Sequence, residues 1–420
     1  MKRSITLLSF LAIAFFLHAQ ETVTVSVGNG YSTQVYYTMA DNAQTTLANN
    51  AWDLAFTTDP GDGGVFTNEA GNSGGPVVQL WLGLTWEWSD VIDPGMLEDS
   101  LYNPETDWAT GAFNSVKDPL DPYDYGWGFY SPFDEKTIGV RVYALQLRNG
   151  SWKKIMIDSL VNDTYYWRFA ELDGSGEVHS TVLKSDFSDS PLVYFSFTTG
   201  EYTPSPAGWD LLFTRYFAPL ELNGEIVPYP STGVLSGFGI EVAEANGVNP
   251  ATVNYEDYLD SLDSHLDVIG QDWKSFNLTT FSWELDPDRV FFVKLANNEL
   301  WKVFFTAFGG SGTGNISFEK TLVGMVSGVE EAGSNFTSFG VFPNPAATDL
   351  TVAVSLENAV EKLPIRLVNA LGQEVWNKTV SGSAGLNVWQ IELPNLPNGL
   401  YYLVGGNGND SVSTAVRIQN

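Results

Sequence analysis

Three histidines, five methionines and no cysteine are the imidazole and sulfur inventory of this 420-residue chain. The lack of cysteine removes disulfides, thiolate nucleophiles and zinc–thiolate sites. No H-E-x-x-H pair exists, so two distant histidines, His179 and His265, do not build a His-rich zinc site by themselves. One serine is suggestively placed, because Gly71-Asn72-Ser73-Gly74-Gly75 satisfies G-x-S-x-G. A nucleophile elbow needs a strand before the serine and a helix after it, and Pro76 among glycines provides neither. A His-Asp-Ser triad in that order needs a histidine upstream, which the chain lacks once its first nineteen residues are removed. Ser73 therefore reads as loop. Asp118, Asp121 and Asp124 recur every three residues. Carboxylates at that density can hold calcium, but the intervening prolines favour successive turns in which each Asp accepts a local backbone N–H. There is no Gly-Lys dipeptide and hence no P-loop. No catalytic constellation emerges, and a non-enzymatic role is expected.

Acidic residues outnumber basic ones 50 to 20, a formal net charge of −30 that repels nucleic-acid phosphates and anionic lipid surfaces. Residues 335–420 hold six acidic and four basic side chains and the first nineteen residues two basic ones, so residues 20–334 carry the full −30. Lys2 and Arg3 precede the apolar run Ile5–Leu17, which ends at Ala19-Gln20. Basic flank, short apolar core and small residue arrive in the order of a secretory signal peptide, cleaved between Ala19 and Gln20. No later apolar stretch reaches the ~18 residues of a transmembrane helix.

The elements that must position any site are strands. Short runs such as Val35-Tyr36-Tyr37-Thr38-Met39 and Arg141-Val142-Tyr143-Ala144-Leu145 alternate in polarity between Gly, Pro, Asn and Asp. Comparing the chain with itself reveals a repeat. Val35-Tyr36-Tyr37 ahead of Trp52-Asp53-Leu54-Ala55-Phe56-Thr57 matches Val193-Tyr194-Phe195 ahead of Trp209-Asp210-Leu211-Leu212-Phe213-Thr214. Asp107-Trp108 answers Asp272-Trp273, and Arg141-Val142-Tyr143 with Trp152-Lys153 answers Arg289-Val290-Phe291 with Trp301-Lys302. Gly174-Ser175-Gly176 with Lys184 answers Gly310-Ser311-Gly312 with Lys320. Order kept across five matches predicts two tandem β domains, 20–187 and 188–328, followed by a linker at 329–334. One amphipathic helix is expected in the second, where Tyr255, Tyr258, Leu259, Leu262, Leu266 and Ile269 recur at helical steps.

The remainder, 335–420, holds Phe342-Pro343-Asn344-Pro345, then Asn369-Ala370-Leu371-Gly372-Gln373-Glu374-Val375, then Leu396-Pro397-Asn398-Gly399-Leu400-Tyr401-Tyr402. Local physics predicts strands joined by tight turns and thus a small β-sandwich, Ig-like in kind. In order and content these segments resemble the C-terminal sorting domain of the type IX secretion system. The resemblance implies handling by that machinery and delivery to the outer surface or medium of a Gram-negative bacterium, with Pro343, Asn344, Pro345, Gly372, Asn398 and Gly399 as its motif residues.

The preceding body resembles a second family. Gly208-Trp209-Asp210-Leu211-Leu212-Phe213-Thr214, Asn223-Gly224-Glu225, Arg289-Val290-Phe291-Phe292-Val293-Lys294-Leu295 and Leu300-Trp301-Lys302-Val303 are similar to segments of the HmuY-like haem-binding proteins, with the first half a divergent copy. The fold expectation is therefore all-β, two tandem HmuY-like domains before the sandwich. The resemblance implies haem capture between two axial side chains, for which His179, His265 and Met156 are the chemically able candidates, with Met39 and Met96 behind them. The Trp of each Trp-Asp pair is expected to anchor a core, its Asp satisfying backbone donors. A surface adhesin or glycan-binding protein on the same scaffold, without haem, is the alternative.

Overall fold

The computed structural model describes residues 20–222, 224–326, 335–342, 346, 349–369, 373–394, 396–407 and 410–418. The expected signal peptide 1–19 with Ala19, the linker 329–334, and Pro343, Asn344, Pro345 and Gly372 lie outside the described residues. The chain is all-β and forms two compact units, residues 1–326 and 327–420.

Four antiparallel sheets and one two-stranded hairpin, Lys274–Asn277 with Ser282–Leu285, build the first unit. Sheet I sets side by side Glu21–Ser26, Asn315–Met325, Glu299–Phe308, Val290–Lys294 and Glu241–Ala245. Sheet II repeats that order with Val178–Leu183, Thr164–Ala170, Trp152–Val161, Tyr143–Gln146 and Gln79–Leu82. Sheet III runs Glu225–Ser236, Leu211–Leu222, Thr33–Tyr37 and Gln44–Ala48, and sheet IV matches it with Val65–Thr67, Leu54–Thr57, Leu192–Phe195 and Tyr202–Pro204. Corresponding strands occupy corresponding places, so the internal repeat is real in space. The halves nonetheless exchange strands. Thr33–Tyr37 pairs with Leu211–Leu222 of the other half, and Leu192–Phe195 pairs in return with Leu54–Thr57.

This exchange corrects the expected domain division. A cut at 187/188 does not separate two bodies, because Val178–Leu183 holds in sheet II the place that Glu21–Ser26 holds in sheet I. The repeat therefore turns over between Ala170 and Val178. It follows that Gly174-Ser175-Gly176, at the junction, and Gly310-Ser311-Gly312, inside the last hairpin of the second half, are not equivalents. Trp108 and Trp273 likewise part company, the former packing against the central cluster and the latter inside the core between sheets I and III.

Period-two alternation explains the layering. Val35, Tyr37, Leu211 and Phe213 face the core shared with sheet I, while Tyr36 and Leu212 point the other way. Leu54, Phe56, Val193 and Phe195 face the core shared with sheet II, and Ala55 and Tyr194 turn back toward Tyr36 and Leu212. The inner strands Thr33–Tyr37, Leu54–Thr57 and Leu192–Phe195 are thus covered on both faces, which is why they read as nearly continuous apolar runs, whereas the edge strands Gln44–Ala48 and Tyr202–Pro204 are largely exposed. The order of layers is I, III, IV, II, with an aromatic cluster at the centre.

The expected helix is realised only as a 3-10 turn at Tyr255–Ser261, opened by the Asn254 side chain accepting from Glu256 N. It ends because Leu262 is extended and Asp263 pairs back to Val242, its carboxylate accepting from His265 N at 3.0 Å. The apolar periodicity still finds partners, with Tyr255, Tyr258, Leu259 and Leu262 packing against Ala243, Ala245, Val290 and Phe292 of sheet I, and Leu266 and Ile269 buried as irregular anchors.

The second unit is a sandwich of a three-stranded sheet, Phe336–Phe342, Asp349–Leu356 and Gly385–Glu392, and a four-stranded one, Glu374–Gly382, Val360–Asn369, Gly399–Asn407 and Asp410–Ile418. Leu350, Val352, Val354 and Leu356 alternate into its core, which also takes Ile365, Leu367, Leu403 and Ile418. The expected tight turn is closed by Asn369 N donating to the Gln373 carbonyl and Gln373 N donating to Asn369 Oδ1. Asn398 leads directly into the strand that begins at Gly399, as its turn chemistry predicts.

Candidate binding site

Strand exchange brings the two Trp-Asp pairs into a reciprocal arrangement at the centre of the first unit. Asp53 N donates to the Phe195 carbonyl while its Oδ2 accepts from Phe197 N at 2.8 Å. Asp210 N donates to the Tyr37 carbonyl while its Oδ2 accepts from Met39 N at 2.7 Å. Each Asp thus ties off a strand end from the opposite half, the expected use as a partner for backbone donors. Arg148 adds an ion pair to Asp53 at 3.0 Å and donates to the carbonyls of Asn68 and Ala70. Both tryptophans are buried as anchors. Trp52 stacks on Tyr194 with ring centres 4.4 Å apart, and Trp209 meets Tyr36 edge-on at 5.3 Å. Between them the Tyr36 and Tyr194 hydroxyls share a hydrogen bond of 2.7 Å.

The repeat is broken at one position that matters. Trp52 Nε1 donates to Gln34 Oε1 at 3.3 Å. The residue corresponding to Gln34 in the second half is Leu192, which has no acceptor, and the buried Trp209 Nε1 has no hydrogen-bond partner among the described residues. Trp209 lines a cavity of about 70 Å³ between sheets III and IV, together with Tyr36, Trp52, Trp108, Tyr194 and Tyr216. This is several times the ~10–15 Å³ that a cavity needs to admit one water molecule, so it is a small but real space.

Two carboxyl groups also line it. Glu69, 6% exposed, accepts from Asn103 N at 2.6 Å and from Phe217 N at 3.3 Å. Glu105 sits nearby, its carbonyl accepting from Leu266 N. Neither forms an ion pair among the described residues. Burial pushes the Glu69 carboxyl up to about 8 against the pull of its two backbone donors, and Glu105 adds to the rise. Burial likewise raises Glu105 to about 7, with the charge of Asp267 contributing. Arg215 lines the cavity too, but its Nη atoms donate to the carbonyls of Gly71, Asn72 and Pro230. Sequence reasoning singled out neither glutamate. Glu69 lies in a glycine-rich stretch with no periodic pattern, and its burial comes from strands contributed by both halves.

None of the expected axial candidates lines this cavity. Met156 and His179 are cross-strand neighbours of the same residue, Arg168, on either side of it in sheet II. Arg168 donates to Met156 Sδ at 3.5 Å, and His179 Nε2 pairs with Glu177 at 2.9 Å on an exposed edge. An arginine between two residues on one flat sheet leaves no cleft for a ring between them. His265 is exposed in the other half, its Nδ1 2.6 Å from Asp263 Oδ1, which raises the imidazole pKa. Met39 is fully buried in the core of sheets I and III, and Met96 is exposed. Ser73 is exposed, held by its backbone N–H to the Gly30 carbonyl. The Asp118 series forms local turns as expected, with Leu120 N, Tyr123 N and Gly126 N donating to Asp118, Asp121 and Asp124.

Among the described residues no helix is long and apolar enough to cross a membrane. A four-layered acidic β unit followed by a separate seven-stranded sandwich defines a protein made of a body and an appended C-terminal module. Residues 340–419 match the family described as the secretion system C-terminal sorting domain. The C-terminal unit belongs to that family, so the chain is a cargo of type IX secretion, bound for the cell surface or the extracellular space. No curated protein matches the chain. Among solved structures, dimeric latent PorU from Porphyromonas gingivalis is similar at 11% identity over 68% of this chain and 31% of that one, with a TM-score of 0.17. A Binjari virus structure is similar at 9% identity over 96% of this chain and 73% of that one, with a TM-score of 0.16. Likenesses this weak carry no argument about the body of the protein. Deleting residues 335–420 is expected to keep the body inside the cell envelope; fractionation with immunoblotting checks this, and undiminished appearance in the medium would contradict it.

Proposed function

We propose that the exported body is a binding protein that captures a small ligand, without turning it over, in the cavity between sheets III and IV. The observation supporting this reading is the Trp209 indole N–H, one of several buried side-chain polar atoms without a partner among the described residues, set in an aromatic enclosure that also holds Glu69, Thr67 and Arg215. Haem, the ligand implied by the HmuY-like resemblance, gains no support from the geometry. The cavity is well below the ~300–1,000 Å³ of pockets that take drug-sized molecules, and no histidine or methionine lines it. The adhesin alternative has no specific group to carry it.

The test uses the purified full chain and its tryptophan fluorescence, since Trp52, Trp108 and Trp209 line the site. A panel of haemin, monosaccharides and small amines should contain a ligand that gives a saturable change. The cavity-filling substitution Ala55→Leu should abolish that change while the chain remains folded by circular dichroism. A ligand bound equally by the native chain and Ala55→Leu would move the site elsewhere, and a Soret shift with haemin would restore the haem expectation.

A further inference from the structure

Resting on that reading, we infer that the cavity is a site for a small organic ammonium ion carrying an oxygen acceptor, of the kind represented by choline. Three independent features of the lining point to such a ligand. First, the walls are aromatic on several sides: Trp52, Trp108 and Trp209 with Tyr36, Tyr194 and Tyr216. Ring faces attract cations, most strongly where water is excluded, and enclosure by several rings is the usual means of holding a quaternary ammonium.

Second, the lining holds two carboxyl groups that form no ion pair among the described residues. Glu69 and Glu105 carry no ion pair, and the one cationic side chain among the lining residues, Arg215, has its guanidinium NH₂ groups on three carbonyls and lies over the Tyr31 ring at 5.6 Å. Arg148, the other guanidinium of this region, is engaged by Asp53 and the carbonyls on either side of Glu69. The charge of Asp267 adds to the rise of Glu105. A buried carboxylate without a cation is costly, and in the empty site the remedy is protonation, which is why both carboxyls titrate high. A cationic ligand supplies the missing partner, so its binding releases the proton to solvent as the carboxyl ionises.

Third, the Trp209 N–H needs an acceptor, which neither an aromatic ring nor a simple alkylammonium offers. A hydroxyl oxygen placed a short chain away from the ammonium answers it. The small volume, about 70 Å³, favours a compact ligand over a larger ring system.

Titration calorimetry of the full chain with choline, tetramethylammonium and neutral 3,3-dimethylbutan-1-ol tests each feature. Choline should bind saturably at pH 8 and at least roughly tenfold more weakly at pH 6, with net proton release between these values, read from buffers of different ionisation heat. The neutral isostere should not bind at comparable concentration. Glu69→Gln and Glu105→Gln should each weaken choline by at least roughly tenfold. Trp209→Phe, which removes only the N–H and some ring area, should narrow the preference for choline over tetramethylammonium. Proton release on the unaltered chain keeps the idea testable even where a variant folds poorly. If the neutral isostere binds as well as choline, or if choline binds without proton release, the ammonium assignment falls while the cavity remains a binding site. If no ammonium compound binds up to about 10 mM but an unrelated ligand does and is blocked by Ala55→Leu, the ammonium assignment again falls alone. If nothing on either panel is blocked by Ala55→Leu, both readings fall together.

Discussion

Glu69→Gln should flatten the pH dependence of stability in the first unit. The sign follows from the raised carboxyl. Below about pH 4.5 the side chain is protonated whether the chain is folded or unfolded, and it contributes no slope. From there up to about 8 the unfolded chain gives up the proton while the folded chain keeps it, so folded stability falls as the pH rises. Glu105 acts in the same direction up to about 7. Lys274 acts oppositely above about 7, because burial lowers its ammonium to that value and favours the neutral folded form. Lys274 is common to native and variant chains and cancels in their difference. The stability of Glu69→Gln relative to native should therefore climb by several kcal/mol between pH 5 and pH 8, offset by a roughly pH-independent loss of about 1 kcal/mol from the weakened bond to Phe217 N. Calorimetry of the full chain, following the transition of the first unit, measures this. Parallel profiles for the two chains would show that Glu69 is ionised in the fold and would remove the proton linkage.

Trp52→Ala should be the most damaging truncation of the central layer, by about 3–5 kcal/mol. The indole is 8% exposed, stacked nearly parallel to Tyr194, and donates to Gln34. Its loss opens a void between two sheets and unseats a residue from the opposite half. Trp209→Phe should cost much less, about 1 kcal/mol, because the ring volume is largely kept and the N–H it removes has no partner to lose. Chemical denaturation of both variants gives the comparison, and equal losses would mean that Trp209 is held by a contact the geometry does not show.

The all-β class, the sandwich at the C-terminus and the repeat were legible because each rests on local pattern: alternation, turn residues, and paired motifs in constant order. The Trp-Asp pairs were also legible as core anchors. The exchange of strands was not, since alternation says which face a strand buries and never which half supplies its neighbour. For the same reason the repeat boundary was misplaced. The helix over 255–269 failed where Asp263 made local bonds that compete with helical ones. Glu69 and Glu105 were hidden among fifty acids because only tertiary burial distinguishes them. His179 and His265 drew notice for rarity, yet both sit at the surface in pairs with neighbouring carboxylates.

The first and last strands of the first unit, Glu21–Ser26 and Asn315–Met325, have a bearing on the route by which the protein reaches its folded state. Thr24 and Ser317, hydrogen-bonded at 2.9 Å, are 293 positions apart, and the buried Lys320 reaches across to the Met39 carbonyl and to Glu21. Glu21–Ser26 therefore has no partner until nearly all of the body has been synthesised. Topologies dominated by such remote pairings fold slowly and leave strand edges uncovered in the meantime. Sheet I is therefore completed only when Asn315–Met325 reaches Glu21–Ser26, and the first unit is expected to fold slowly. The dense negative charge of the body, by keeping unfinished copies from one another, would serve the same interval.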